Sequence, residues 1–127
     1  MKLLLDTHTF VWWTLDDPRL STFGRSAIVG ASSVTVSVVT AWEIAIKVGR
    51  GKWPEALSTL EDFEAVVRRA EFEIVPISVD HVRRAGLLVS GHRDPFDRLL
   101  AAQASIEGLT LVSADARMAQ LGAAVLW

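Results

Sequence analysis

Short apolar runs that each end in one acid, separated by helix-patterned stretches, limit how this chain can fold. Leu3-Leu4-Leu5 runs into Asp6, and Leu109-Thr110-Leu111-Val112-Ser113-Ala114 runs into Asp115. Such runs read as strands buried on both faces, the mark of a parallel sheet. Strands are expected at 2–6, 34–38, 73–77, 109–113 and 124–126. The 34–38 strand is β-branched, which suits a pleated surface. Helical patterning reads at 8–16, 19–30, 40–49, 58–70, 79–89 and 95–106, with a short helix at 115–121. Asp17-Pro18, Gly49-Arg50-Gly51-Lys52, Gly91-His92-Arg93 and Glu107-Gly108 mark the breaks, and Pro95 opens a helix. Strands alternating with helices predict an α/β fold, a three-layer α/β/α sandwich around a central parallel sheet.

The 127 residues suit one domain spanning 1–127, with no repeat or linker. Half of the residues are hydrophobic, which argues against disorder. The absence of cysteine excludes disulfides, zinc–thiolate sites and thiol catalysis. No apolar run approaches the ~20 residues of a membrane span. The N-terminus lacks a signal-peptide stretch, so a cytoplasmic protein without a membrane partner is expected. Net charge is −2, so contact with nucleic acid would need a local basic patch. No phosphate-cradling GxxxxGK[ST] or GxGxxG loop and no GxSxG nucleophile elbow occurs.

Four acids, Asp6, Glu43, Asp97 and Asp115, each lie where an apolar element begins or ends. Acids at strand C-termini face the crevice where α/β sheets bind ligands. Crowded carboxylates raise one another's pKa unless a cation neutralises them. Hard oxygen donors suit Mg²⁺. Thr7, Ser37, Thr40 and Ser113 are hydroxyls near the same ends, placed to orient the acids. Each acid also has an ordinary structural reading. Asp6, Asp94 and Asp115 can cap helices, and Glu43 has Lys47 at salt-bridge spacing. His8, His81 and His92 lack metal-ligand spacing, although His92 lies close enough to Asp97 to touch a substrate.

The segments Leu3–His8, Ser37–Lys47, His92–Ala104 and Leu111–Asp115 together resemble the PIN-domain ribonucleases. More narrowly they resemble VapC-type toxins of bacterial type II toxin–antitoxin systems, over essentially the whole chain. The resemblance implies a PIN-like sheet and an acidic site for one or two Mg²⁺ or Mn²⁺ ions. By motif, Asp6, Glu43, Asp97 and Asp115 are the metal-binding and catalytic acids, with Asp94 a less secure neighbour of Asp97. Ser113 stands where the family often has threonine. A homodimer and a cognate VapB-type antitoxin are also implied.

The resulting expectation is an endoribonuclease that hydrolyses RNA with metal-activated water and needs no protein nucleophile. Lys47, Arg50 and Lys52 form a basic run after the Glu43 helix, and Arg93 and Arg98 flank Asp97, so this set is the candidate RNA-phosphate contact. Phe10, Trp12, Trp13, Trp42 and Trp53 are candidates for an antitoxin groove, although some must fill the core. Two rivals remain. A non-catalytic binding module would use the acids as caps and ion pairs. A metal-dependent DNA nuclease or phosphatase would use the same acids.

Overall fold

The computed structural model describes residues 1–127. One sheet of five strands runs in the order β3-β2-β1-β4-β5, all parallel. The strands are β1 (Lys2–Leu5), β2 (Ser33–Ser37), β3 (Glu73–Val75), β4 (Thr110–Val112) and β5 (Val125–Leu126). The helices are α1 (Thr7–Thr14), α2 (Thr22–Gly30), α3 (Val38–Gly49), α4 (Leu57–Glu61), α5 (Phe63–Arg69), α6 (Val79–Leu87) and α7 (Pro95–Glu107). Two 3-10 segments, Pro54–Ala56 and Ala116–Leu121, complete the set.

β1 is central because both of its faces are apolar. Leu3 and Leu5 join Phe10 of α1, Ile28 of α2 and Phe63 and Val67 of α5 in one core. Leu4 faces the other way, with Leu100, Ala101 and Ala104 of α7 and with Met118 and Leu121. This alternation follows the two-residue period of a strand. The small side chains of α7 let that helix lie close against the sheet. A third cluster, Val11, Ile44, Trp53 and Ala56, ties α1 to α3.

The α/β expectation with a parallel sheet stands, and several boundaries shift. The single helix expected over 58–70 is two helices, α4 and α5, bent at Asp62 (φ −110°, ψ 30°). The bend lets Thr59 meet Thr14 Oγ1 at 2.9 Å while Phe63 and Val67 enter the main core. α2 begins at Thr22 rather than 19, because Ser21 caps it and accepts from Gly24 N at 2.9 Å. α3 begins two residues early for the same reason, with Val39 N donating to Ser37 Oγ at 2.9 Å. β3 ends at Val75, before Pro76, whose nitrogen has no proton to donate to a ladder. Phe10 and Trp53, read as groove candidates, are core residues instead, 0% and 7% exposed. Packing claims both: Phe10 stacks edge-on against Phe63, and Trp53 fills the α1–α3 seam.

Candidate active site

The strand order creates a switch point. From β1 the chain builds outward through β2 and β3, then crosses back to place β4 on the other side of β1. At such a reversal the loops leaving the two strands diverge and open a crevice at their C-terminal ends. Asp6 leaves β1 there, and Asp115 follows β4. Asp6 N donates to Val112 O at 3.1 Å, which fixes the two strand ends side by side.

Each remaining acid reaches the crevice from a helix. Glu43 projects from the middle of α3 and is only 5% exposed. Asp97 sits in the first turn of α7, whose cap is Asp94: Asp94 Oδ1 accepts from Phe96 N at 2.9 Å and from Asp97 N at 3.1 Å. A cavity of roughly 200 Å³ results, lined by Asp6, Thr7, His8, Glu43, Lys47, Asp94, Asp97, Asp115 and Arg117. No apolar side chain lines it. Asp94, expected as a cap and as a less secure neighbour of Asp97, is both a cap and a wall of the cavity.

Hydrogen bonds hold the acids in place. Thr7 Oγ1 donates to Glu43 Oε1 at 2.6 Å, and Lys47 Nζ contacts Glu43 Oε2 at 2.8 Å. Thr40 lies behind them, its hydroxyl 3.4 Å from that of Thr7. Asp6 Oδ1 accepts from Thr9 N at 2.8 Å. Ser113 Oγ accepts from Asp115 N at 3.1 Å. The helix-cap and Glu43–Lys47 readings are therefore realised inside the cavity, alongside the convergence rather than instead of it. Ser37 is different. Its hydroxyl donates to Gln103 Oε1 at 2.5 Å, away from the cavity wall, so it serves α3 and α7 rather than the acids.

Of the histidines, His8 lines the cavity and His92 meets Asp97, as its place in the sequence suggested. His92 is 9% exposed, and its Nε2 lies 2.7 Å from Asp97 Oδ2. Ligand atoms of His92, Asp97 and Asp115 lie within 4.8 Å of one another, a grouping that could hold a metal ion. The signal available in the sequence was the five-residue separation across a proline-initiated helix, which folds the loop back onto the first turn. Arg117 was not anticipated at all. It sits two residues after Asp115, a spacing that places its side chain over the cap it follows.

The electrostatics divide the acids. Burial pushes the Asp6 carboxyl up, with hydrogen bonds from Ser113 and Thr9 opposing it. Burial also raises Asp97, helped by the charges of Asp94 and Glu43 and opposed by the His92 bond. Asp115 is held down at about 2, chiefly by its hydrogen bonds from Arg117. Asp6 and Asp97 are the acids of this all-polar cavity whose negative charge Lys47 and Arg117, paired to Glu43 and Asp115, leave uncompensated. Oxygen donors with one imidazole suit a hard or borderline dication such as Mg²⁺ or Mn²⁺.

The basic candidates scatter. Arg50, Lys52 and Arg93 are exposed. Lys47 is engaged with Glu43 and lies 5.4 Å from the Trp53 ring. Arg98, expected to meet phosphate, instead points inward and donates to three backbone carbonyls: Ala85 at 2.9 Å, His92 at 3.1 Å and Leu88. Among the tryptophans, Trp42 is 48% exposed against Phe96, and Trp12 and Trp13 are half-buried.

A parallel α/β sheet with an acidic crevice at its switch point defines the class, and comparison with known proteins resolves it. The PIN-domain family profile matches residues 3–124, and the chain belongs to the PIN-domain family. It is 29% identical over 116 residues to Ribonuclease VapC22 of Mycobacterium tuberculosis, covering 91% of this chain and 88% of that protein. Its fold is similar to that in the crystal structure of VapBC2 from Rickettsia felis bound to a promoter DNA fragment. That match has a TM-score of 0.68 at 19% identity, over 99% of this chain and 98% of the other. FitAcB from Neisseria gonorrhoeae is also similar, with a TM-score of 0.69 at 16% identity over 100% and 97%. At these identities the structural likeness speaks to fold.

Proposed function

We propose that this chain is a divalent-cation-dependent endoribonuclease and the toxin of a VapBC-type toxin–antitoxin pair. The observation that carries the reading is the convergence of Asp6, Glu43, Asp97 and Asp115 on one cavity without apolar lining. Membership of the PIN-domain family and the likeness to a protein named as a ribonuclease support it.

In this reading the four acids hold one or two Mg²⁺ or Mn²⁺ ions, with His92 close enough to contribute. A dication there supplies Lewis acidity toward a phosphodiester and an activated water. The chain's own side chains keep the acids aimed. Thr7 and Lys47 fix the two oxygens of Glu43, and His92 fixes one oxygen of Asp97. The peptide N–H of Thr9 fixes Asp6. Arg50, Lys52 and Arg93 are the exposed candidates for RNA phosphates. Arg98 leaves that set because its guanidinium is already committed.

An antitoxin segment would find an anchor beside Trp13. That side chain lines a cavity of roughly 430 Å³ with Thr14, Leu15, Asp62, Val66 and Arg69. A homodimer is part of the proposal, supported by the exposed apolar side chains Val79, Val82 and Leu87 on α6. No helix is long and apolar enough to cross a membrane, in keeping with a proposed cytoplasmic location.

The test is a cleavage panel of single-stranded RNA, structured RNA and single-stranded DNA, each with Mg²⁺, Mn²⁺ or EDTA. RNA is expected to be cut only with a cation present. Full cleavage after metal stripping in EDTA would sink the mechanism, and equal cutting of DNA would shift the substrate class.

A further inference from the structure

Arg117 lines the cavity but has no role in the reading above. Arg117 wraps back onto Asp115 and takes both of its oxygens. Nε lies 3.0 Å from Oδ1 and 3.2 Å from Oδ2, and Nη2 lies 2.7 Å from Oδ2. The Arg117 peptide N–H adds a fourth bond, to Oδ1 at 3.0 Å. Asp115 is thus fully occupied, although its carboxylate also lies within 4.8 Å of the Asp97 and His92 ligand atoms. A cation entering among those three groups must take an oxygen from Arg117.

Arg117 cannot yield by losing its proton, since a guanidinium stays charged in proteins. Nor can it remain in place without facing the cation at close range. Its side chain is 66% exposed, and Asp115 is its sole salt-bridge partner. It is therefore free to swing outward. Once released, the guanidinium stands at the rim of a cavity built for a phosphodiester, and its planar fork suits phosphate oxygens.

We propose that Arg117 is a phosphate-binding residue for the substrate strand, stored on Asp115 until a divalent cation takes that carboxylate. This rests on the cation-dependent ribonuclease reading. Arg117 contributes affinity, and the ion pair with Asp115 keeps the two from both being available before the cation arrives. Cation and RNA then bind cooperatively, and the coupling is reciprocal.

Two variants test it, Arg117→Ala and Arg117→Lys. Calorimetry with Mn²⁺ alone needs no activity. Arg117→Ala is expected to bind Mn²⁺ about 2- to 5-fold more tightly, the worth of an exposed ion pair that no longer competes. Cleavage kinetics should move the opposite way. KM for single-stranded RNA rises while kcat changes less, and the salt dependence of kcat/KM loses roughly 0.7 of a unit of slope. Arg117→Lys keeps the charge but loses the fork, so its KM lies between the two. A merely structural Arg117 would give weaker Mn²⁺ binding and a lower melting temperature, and that result overturns the proposal. Unchanged Mn²⁺ affinity and KM overturn it too. Failure of the ribonuclease reading looks different: the wild type itself would bind Mn²⁺ yet neither bind nor cleave RNA, which removes both proposals.

Discussion

The Thr7 hydroxyl donates to Glu43 Oε1 at 2.6 Å, joining the first residue of α1 to the middle of α3. Both side chains are buried, at 2% and 5% exposure. Thr7→Val keeps the shape and removes the donor. We expect a drop of about 10- to 100-fold in metal affinity or activity, the usual effect of losing a partner that orients a ligand. The cost in stability should be only about 1–2 kcal/mol. Metal titration and a urea melt check both, and a variant that loses stability but keeps metal affinity would refute the orienting role.

Asp6 and Asp97 predict an unusual pH dependence in metal-stripped protein. Both carboxyls are raised above the ordinary value of 3.8. The folded state then keeps protons that the unfolded chain has already released. Stability contributed by these groups is present at low pH and falls as pH rises through their raised folded values. Asp6→Asn and Asp97→Asn should each flatten that fall and raise the melting temperature in EDTA at neutral pH. Both should abolish cleavage. Melting curves from pH 4 to 8 decide it, and a slope identical to wild type in both variants would show that the carboxyls are not destabilising.

Arg98 predicts a stability effect without direct chemistry. Its guanidinium closes the C-terminal end of α6 and the loop to His92 by donating to the carbonyls of Ala85, Leu88 and His92. Arg98→Ala should cost roughly 2–3 kcal/mol, since charged donors to partly buried carbonyls are lost. Arg98→Lys should recover less than half, because a single ammonium cannot span three acceptors. Denaturant midpoints measure this directly.

Exposed Arg50 and Lys52 should act only through charge. Replacing both with Ala is expected to lower the salt slope of RNA binding by roughly 1.4, two single-strand phosphate contacts. The melting temperature should stay put. An unchanged slope would remove this run from the RNA path.

Trp13 should matter to an antitoxin more than Trp12. Trp13 borders an open cavity, whereas Trp12 packs against His8 and Trp127. After folding is confirmed, Trp13→Ala should weaken antitoxin binding by more than ~1 kcal/mol and Trp12→Ala by less. The reverse order would relocate the interface.

Much of the architecture could be read from residue pattern, because β1 and β4 are apolar on both faces and a strand's period is short. The acids could be read too, because each stands alone at the end of an apolar element. What could not be read was anything that depends on how a side chain curls. Arg98 looked like a phosphate contact beside Asp97, and only the path of the α6–α7 loop turns it toward carbonyls. Ser37 looked like a partner of the acids, yet capping α3 aims it at Gln103. Phe10 and Trp53 were ambiguous because an aromatic on or beside a helix serves a core or a groove equally well. The Arg117–Asp115 pair depends on a side chain curling back over two residues, which composition does not encode.

The cavity takes Asp6 from just beyond the first strand and Asp115 from just beyond the fourth, and these meet only because β4 pairs directly with β1. During synthesis, Asp6, Glu43, Asp94 and Asp97 all leave the ribosome before Asp115 does. Until residues 110–115 emerge and slot beside β1, one wall of the crevice is missing. A chain that ends before residue 115 never assembles the full cluster. Any chemistry that needs all four acids therefore waits on the last strand pairing that β1 makes.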